Sequence, residues 1–236
     1  MPDIRPAPSL AVFDVDETLI ECKSMFSFLE FAFREVAGDT GGAQAYRAAL
    51  YELQTARETE PREVVNRLFY RNFSRWSLDQ LAELSQEWFA RSKARSFYVP
   101  EVLNRFRQHQ AQGHETVLLS GSANFIVAPI ADDLGATGIL AIALKRLPDG
   151  TTDGQIEGIQ TIGEGKAAAL RNLIQARGPY VRTFGYGDHQ SDLPFLAICD
   201  EAYCAHPADR PAPEWAEAIQ SFPIHGQAST AGSITA

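Results

Sequence analysis

An apolar run from Leu10 to Phe13 leads directly into Asp14 and Asp16, with Thr18 following. A short run with no polar alternation describes a buried strand, the kind that lies inside a parallel sheet covered by helices. Residues two apart on a strand face the same way, so Asp14 and Asp16 can lean toward one point as the strand ends. Two carboxylates there carry a desolvation cost unless a metal ion, a proton or a donor compensates them. The segment therefore specifies a position in a fold and a charged site together. Such a site can hold Mg²⁺ and offer a carboxylate nucleophile, the parts that phosphoryl transfer uses.

After Ile20 the pattern changes. From about Ser24 to Phe97 the chain is rich in Phe, Leu, Ala, Glu and Arg at helical spacing. Phe26, Leu29, Phe33 and Val36 form one apolar stripe, and Val64 and Leu68 belong to another. Asp39 to Gly42 is expected to separate two helices, Pro61 to open the next, and Ser77 to cap the one after. The block reads as an all-helical insertion.

Strands and helices then alternate. Helices are expected over Val99–Gln110, Ala123–Leu134, Lys166–Ala176 and Asp192–Ile198. Strands are expected over Thr116–Leu119 and Val181–Phe184, with a hairpin-like pair, Ile139–Leu144 and Gln155–Ile159, around the Pro148–Gly150 turn. This order implies an α/β fold with a doubly wound, mostly parallel sheet, whose ligands sit beyond the carboxyl ends of the strands. The expected division is a core of 9–22 and 98–223, a helical cap of 23–97, and loose tails of 1–8 and 224–236.

The formal charge of −9 over 236 residues disfavours nucleic acid as a partner. Cys22, Cys199 and Cys204 are odd in number and make no CxxC pair. They read as small apolar residues in a reduced, cytoplasmic protein. The N-terminus has no signal-peptide core, and no apolar run reaches the length of a membrane span. A soluble chain, monomer or homodimer, is expected.

Four polar clusters fall at expected strand ends or helix starts: Asp14, Asp16 and Thr18; Ser120, Gly121 and Ser122; Lys166; and Asp188 with Asp192. Each alone reads as a turn, cap or surface residue. Their joint occurrence in this order resembles the haloacid dehalogenase superfamily of phosphatases. The resemblance is to the branch with a helical cap after the first motif, as in phosphoserine phosphatase, and covers about 10–210. It implies a phosphomonoesterase acting on a small phosphorylated metabolite. Asp14 would be the nucleophile and Asp16 the general acid and base. Mg²⁺ would be held by Asp14, the backbone carbonyl of Asp16, and Asp188. Thr18, Ser120, Gly121 and Lys166 would grip the phosphoryl group, with Asp192 supporting Lys166 or the metal. An aspartate at position 16 points to ester hydrolysis, because it can handle the leaving-group proton.

Phosphoserine phosphatases usually carry a glutamate nine residues after the nucleophile, where this chain has Lys23. Lys23 is either solvated or meets an anionic or hydroxyl-rich part of the substrate. Arg67 and Arg71 share a helix face and are the cap candidates for a second anionic group. His189 is expected to be an exposed loop residue, and Phe26, Phe28, Phe69 and Trp76 to be core. Specific activities consistent with the motifs include O-phosphoserine or histidinol-phosphate hydrolysis. A phosphotransferase would use the same intermediate. A phosphorylated signalling receiver is disfavoured by the insertion.

Overall fold

The computed structural model describes residues 7–225. Strands β1 (Leu10–Asp14), β2 (Glu115–Ala123), β3 (Gly138–Arg146), β4 (Thr152–Glu157), β5 (Thr183–Gly187), β6 (Glu201–Pro207) and β7 (Gln220–Ile224) form one sheet in the order β4-β3-β2-β1-β5-β6-β7. All neighbours run parallel except β3 and β4, the hairpin expected around Pro148–Gly150. β1 is central and wholly buried, as its unbroken apolar run requires. From β1 the chain winds outward through β2, β3 and β4, then returns to the other side for β5, β6 and β7. The switch of direction beside β1 opens a crevice beyond the strand ends.

Helices α1 (Ser24–Arg57), α2 (Arg62–Arg71) and α3 (Leu78–Lys93) lie between β1 and the first sheet-covering helix, α4 (Pro100–Ala111). α5 (Asn124–Leu134), α6 (Glu164–Arg177) and α7 (Leu193–Leu196) complete the layers. Ser77 caps α3, accepting the Gln80 N–H at 3.4 Å. The inserted helices share a core with the sheet layer. Phe28 of α1 and the loop residue Phe73 both meet Phe125 of α5, with ring centroids 5.6 and 5.7 Å apart. Trp88 of α3 packs edge-on to Phe28. Each such pair adds about 0.5–1.5 kcal/mol beyond its buried area. The helical block is thus tied to α5 by aromatic packing rather than by its two connections alone.

Several boundaries differ from the sequence expectation. The break in the first long helix falls at Gly38, not at Asp39–Gly42. Gly38 has φ 71° and ψ 168°, a left-handed φ that costs glycine little, and helix resumes directly. β5 begins at Thr183, and Val181 is exposed outside the sheet. Only Leu193–Leu196 of the expected Asp192–Ile198 helix is α-helical, preceded by a 3₁₀ turn over Gln190–Asp192. β6 and β7 extend the sheet beyond the strands expected. Ile224, assigned to the tail, ends β7, where its carbonyl accepts the Ala208 N–H at 2.8 Å. Of the two expected tails, 1–6 and 226–236 lie outside the described residues.

Candidate active site

The register of the three central strands assembles the motifs. Asp14 pairs with Leu119, so Ser120 follows one step beyond. Phe13 pairs with Tyr186, which places Asp188 at the same level on the other side. Lys166, in the first turn of α6, enters this level from one face of the sheet and is 5 % exposed.

The centre is a buried charge cluster. The Lys166 ammonium donates to Asp14 Oδ1 and, at 2.6 Å, to Asp192 Oδ1. Asp192 also accepts the His189 N–H at 3.2 Å. Its approach depends on Gly187, where a Cβ would stand 2.8 Å from Asp192 Oδ2 and 2.9 Å from its Cβ. The Thr18 hydroxyl donates to Asp188 Oδ1 at 2.7 Å and lies 3.2 Å from Asp14 Oδ2. Oxygens of Asp14, Asp188 and Asp192 all fall within 4.8 Å of one another. Three carboxylates against the single Lys166 leave two negative charges uncompensated when all are ionised. Burial pushes the Asp14 carboxyl up to about 7 against the pull of Lys166, and Asp192 and Asp16 add to the rise. Asp188 is raised by burial and then by Asp14 and Asp192. Burial alone would depress Lys166, but the two carboxylates outweigh it and hold the ammonium charged. An all-oxygen, anion-rich donor set of this kind suits a hard divalent cation.

Asp16 lines the same cavity but takes its hydrogen bonds from outside the cluster. Its Oδ1 accepts the Ser24 N–H at 2.9 Å, and its Oδ2 accepts the Ser122 hydroxyl at 2.8 Å. Its carboxyl is raised by burial, which the Ser24 and Ser122 bonds oppose. The residue at its chain neighbour, Glu17, has φ 63°, a left-handed value for a non-glycine residue at the turn that redirects the chain.

Ser120 is fully buried, and its Oγ accepts the Ser122 N–H at 3.0 Å, leaving its own hydrogen free for a further acceptor. Its carbonyl accepts the Thr161 hydroxyl at 2.6 Å. The Gly121 carbonyl accepts the buried Tyr70 hydroxyl at 2.8 Å, and Asn66 Nδ2 at 3.4 Å. The two carbonyls at this end of β2 are therefore both held, one by the segment before α6 and one by α2.

A cavity of about 440 Å³ opens over the cluster between the strand ends and α1–α2. Asp14, Asp16, Gly121, Lys166, Asp188 and Asp192 form its floor. Lys23 lies on its wall, 3.3 Å from the Glu17 carboxylate. Arg67 and Arg71 do not reach it. Both are exposed, and the α2 residues that line the cavity are Arg62, Val65, Asn66 and Phe69, one stripe at i, i+3, i+4 and i+7. Arg62 donates to His189 Nδ1 at 2.8 Å and to Ser191 Oγ at 2.9 Å. His189 is accordingly half-buried on the cavity wall rather than a free loop residue, and burial followed by Arg62 lowers its basicity. Phe26 lines the cavity as well, while Phe28 is core as expected.

The sequence reading missed Arg62, Asn66, Tyr70 and Ser24, and placed Ser122 in the second cluster without a role. The periodicity read in α2 was that of Val64 and Leu68, whereas the stripe on the cavity is Arg62, Val65, Asn66 and Phe69. Ser122 stands two residues after Ser120, and hence on the same strand face.

Among the described residues no helix is long and apolar enough to cross a membrane. Over 207 residues the chain is 26% identical to a histidinol-phosphatase of Neisseria meningitidis, covering 84% of this chain and 90% of the relative. A crystal structure of a Bordetella pertussis protein of unknown function superposes with TM-score 0.78 at 25% identity, covering 92% of this chain and 99% of the other. A substrate-bound phosphoserine phosphatase shares the fold, with TM-score 0.59 at 15% identity over 85% and 87% of the two chains. The family model for haloacid dehalogenase-like hydrolases matches residues 11–197, which run from β1 through α7 and take in every motif residue of the floor. The chain belongs to the haloacid dehalogenase-like hydrolases.

Proposed function

We propose that this chain is a Mg²⁺-dependent phosphomonoesterase that cleaves a small phosphorylated metabolite through an aspartyl-phosphate on Asp14. The observation that carries the reading is the buried cluster of Asp14, Asp188 and Asp192 around one lysine, at the floor of a cavity of metabolite size.

The residues suit Mg²⁺: Asp14, Asp188 and the Asp16 backbone carbonyl would hold it, with Asp192 adjoining. When bound, the ion offsets the surplus negative charge so that an anionic phosphate can approach an anionic nucleophile. Asp14 attacks phosphorus, forming a new O–P bond as the bond to the leaving oxygen breaks. The electron pair goes to that oxygen, and Asp16 supplies its proton. Asp16, now ionised, takes a proton from the water that cleaves the acyl phosphate and so returns to its starting state. Lys166, the Ser120 hydroxyl and the Gly121 N–H stabilise the charge that builds on the phosphoryl oxygens. Thr18 ties Asp188 to the nucleophile's loop. The helical block 23–97 serves as the cap, with Lys23 and Arg62 at the wall that meets the organic part of the substrate.

The test is phosphate release from a panel of phosphorylated metabolites, with Mg²⁺ and with EDTA. Histidinol phosphate, the substrate named by the Neisseria relative, comes first on that panel, with O-phosphoserine second. Release that needs the metal and disappears in Asp14→Asn supports the reading. Release that persists in Asp14→Asn removes it.

A further inference from the structure

Three buried polar groups around Asp16 have no part in the phosphoryl grip. Ser24 is the first residue of α1, and Ser122 lies on β2. Both are 0 % exposed, and their hydroxyl oxygens are 2.8 Å apart. Ser122 Oγ also stands 2.8 Å from Asp16 Oδ2. A serine hydroxyl has one hydrogen, and a carboxylate only accepts. Ser122 must therefore spend its hydrogen on Asp16, and Ser24 must spend its own on Ser122. With Asp16 ionised, or protonated on Oδ1, the direction of the chain is fixed: Ser24 hydroxyl to Ser122 hydroxyl to Asp16 Oδ2. The Ser24 N–H, one of the unpaired amides that begin a helix, closes the arrangement on Oδ1. No side chain caps α1 from its N-cap residue Lys23, so the Asp16 carboxylate takes that place.

We propose that Ser122 and Ser24 are a positioning pair for the general acid. They clamp the Asp16 carboxyl by one donor on each oxygen and couple its orientation to the first turn of the helical block. The inference rests on the proposed role of Asp16. Oδ1 and Oδ2 each accept one hydrogen bond, from the Ser24 N–H and the Ser122 hydroxyl. With the carboxyl plane fixed in this way, the lone pair that remains free is held in one direction for the proton that passes to the leaving oxygen as the P–O bond breaks. A carboxyl freed from Ser122 rotates about its terminal torsion, which is broad for aspartate, and presents the proton in the wrong direction. Two hydroxyls in series also need no ordered water, in a spot too buried for easy exchange with solvent.

The test separates positioning from general damage by the demand of the leaving group. 4-Nitrophenyl phosphate releases a stable anion and needs no proton at that step. The most active alkyl phosphate of the panel does need one. kcat/KM reports this first step for both. In Ser122→Ala we expect kcat/KM for the alkyl phosphate to fall roughly 10- to 100-fold, below the full contribution of about 10²–10⁴ from a general acid. For 4-nitrophenyl phosphate it stays within about twofold of the native value. Ser24→Ala shows the same selectivity at a smaller loss than Ser122→Ala, because its hydroxyl acts through Ser122. Ser122→Cys keeps the size of the side chain with a weaker donor, and serves if the alanine variant does not fold. An equal loss on both substrates, or none on either, overturns the positioning role while Asp16→Asn still loses alkyl turnover selectively. If Asp16→Asn shows no selectivity, the acid assignment falls first and the pair with it.

Discussion

Replacing Lys166 by Met tests the electrostatic account of the site without reference to any substrate. Methionine matches the length of the lysine stem and finds an apolar neighbour, since the Lys166 ammonium already lies 5.5 Å from the centre of the Phe195 ring. Packing is therefore largely kept, and what disappears is the one positive charge in contact with Asp14 and Asp192. Removing one partner of a buried ion pair costs about 3–5 kcal/mol, because the other is left uncompensated. For a chain of this length each kcal/mol moves Tm by about 2–4 °C, so the variant should melt roughly 6–20 °C lower in EDTA at pH 8. The deficit has a sign in pH. Without the ammonium Asp14 and Asp188, both raised by burial, hold protons in the folded state at a pH where the unfolded chain has lost them. Folded-state pKa values above the unfolded ones mean stability that is present at low pH and lost as pH rises, so the deficit shrinks from pH 8 to pH 5. Adding Asp192→Asn to the variant removes one of the uncompensated anions and returns about 1–2 kcal/mol, a coupling that a double-mutant cycle reads directly. Scanning calorimetry of the four proteins in EDTA measures all of this. A Lys166→Met protein that melts within 2 °C of native across that pH range would refute the reasoning, because the cluster would not then depend on its lysine.

Tyr70→Phe deletes the 2.8 Å donor to the Gly121 carbonyl and leaves only the 3.4 Å contact from Asn66. We expect a loss of about 1–2 kcal/mol in urea unfolding and a several-fold rise in KM for the phosphoester, with Asn66→Ala weaker. His109 is buried beneath the sheet's aromatic layer, bonded to Tyr186 and His114, and burial followed by His114 lowers it to about 4. Its folded value lies below the unfolded one, so the unfolded chain binds the extra proton. Stability is whole above about pH 6.5 and falls by up to about 3 kcal/mol as pH drops toward 4, and a folded His109→Gln variant should flatten that part of the curve. Lys23→Ala leaves Glu17 unpaired at the cavity wall; KM should rise roughly 3- to 10-fold for substrates with a second anionic group and change little for neutral ones. Equal KM values across that series would place Lys23 outside recognition.

The sheet and floor were legible because their constraints are local. An unbroken apolar run followed by alternate aspartates fixes a strand, its burial and the direction in which both carboxylates leave it. The strands expected over Thr116–Leu119 and Val181–Phe184 carried the same kind of information, although β2 runs on to Ala123, and β5 begins two residues later than expected and runs on to Gly187. What escaped depends on packing between distant segments. β6 mixes Glu201, Tyr203, Cys204 and His206 in one strand, and β7 contains Pro223 at the sheet edge, so neither presents an apolar run. The spacing of Arg67 and Arg71 showed that they share a face but not which face turns inward. That is decided by Asn66, Phe69 and Tyr70, which are buried on the opposite side. Ser24 and Ser122 are 98 positions apart, and no one-dimensional signal joins them. The bend at Gly38 was displaced by a few residues because several glycines lie close together, and only one takes the left-handed φ.

The most direct test of the account is the covalent intermediate itself. Asp16→Asn, incubated with Mg²⁺ and 4-nitrophenyl phosphate and quenched in acid, should accumulate a phosphoryl group, because the step that needs Asp16 as base is slowed. Mass spectrometry of the digested protein should find it on Asp14 and find none in the Asp14→Asn control. A phosphoryl group on another residue, such as Ser120 or His189, or undiminished turnover by Asp14→Asn, would contradict the mechanism.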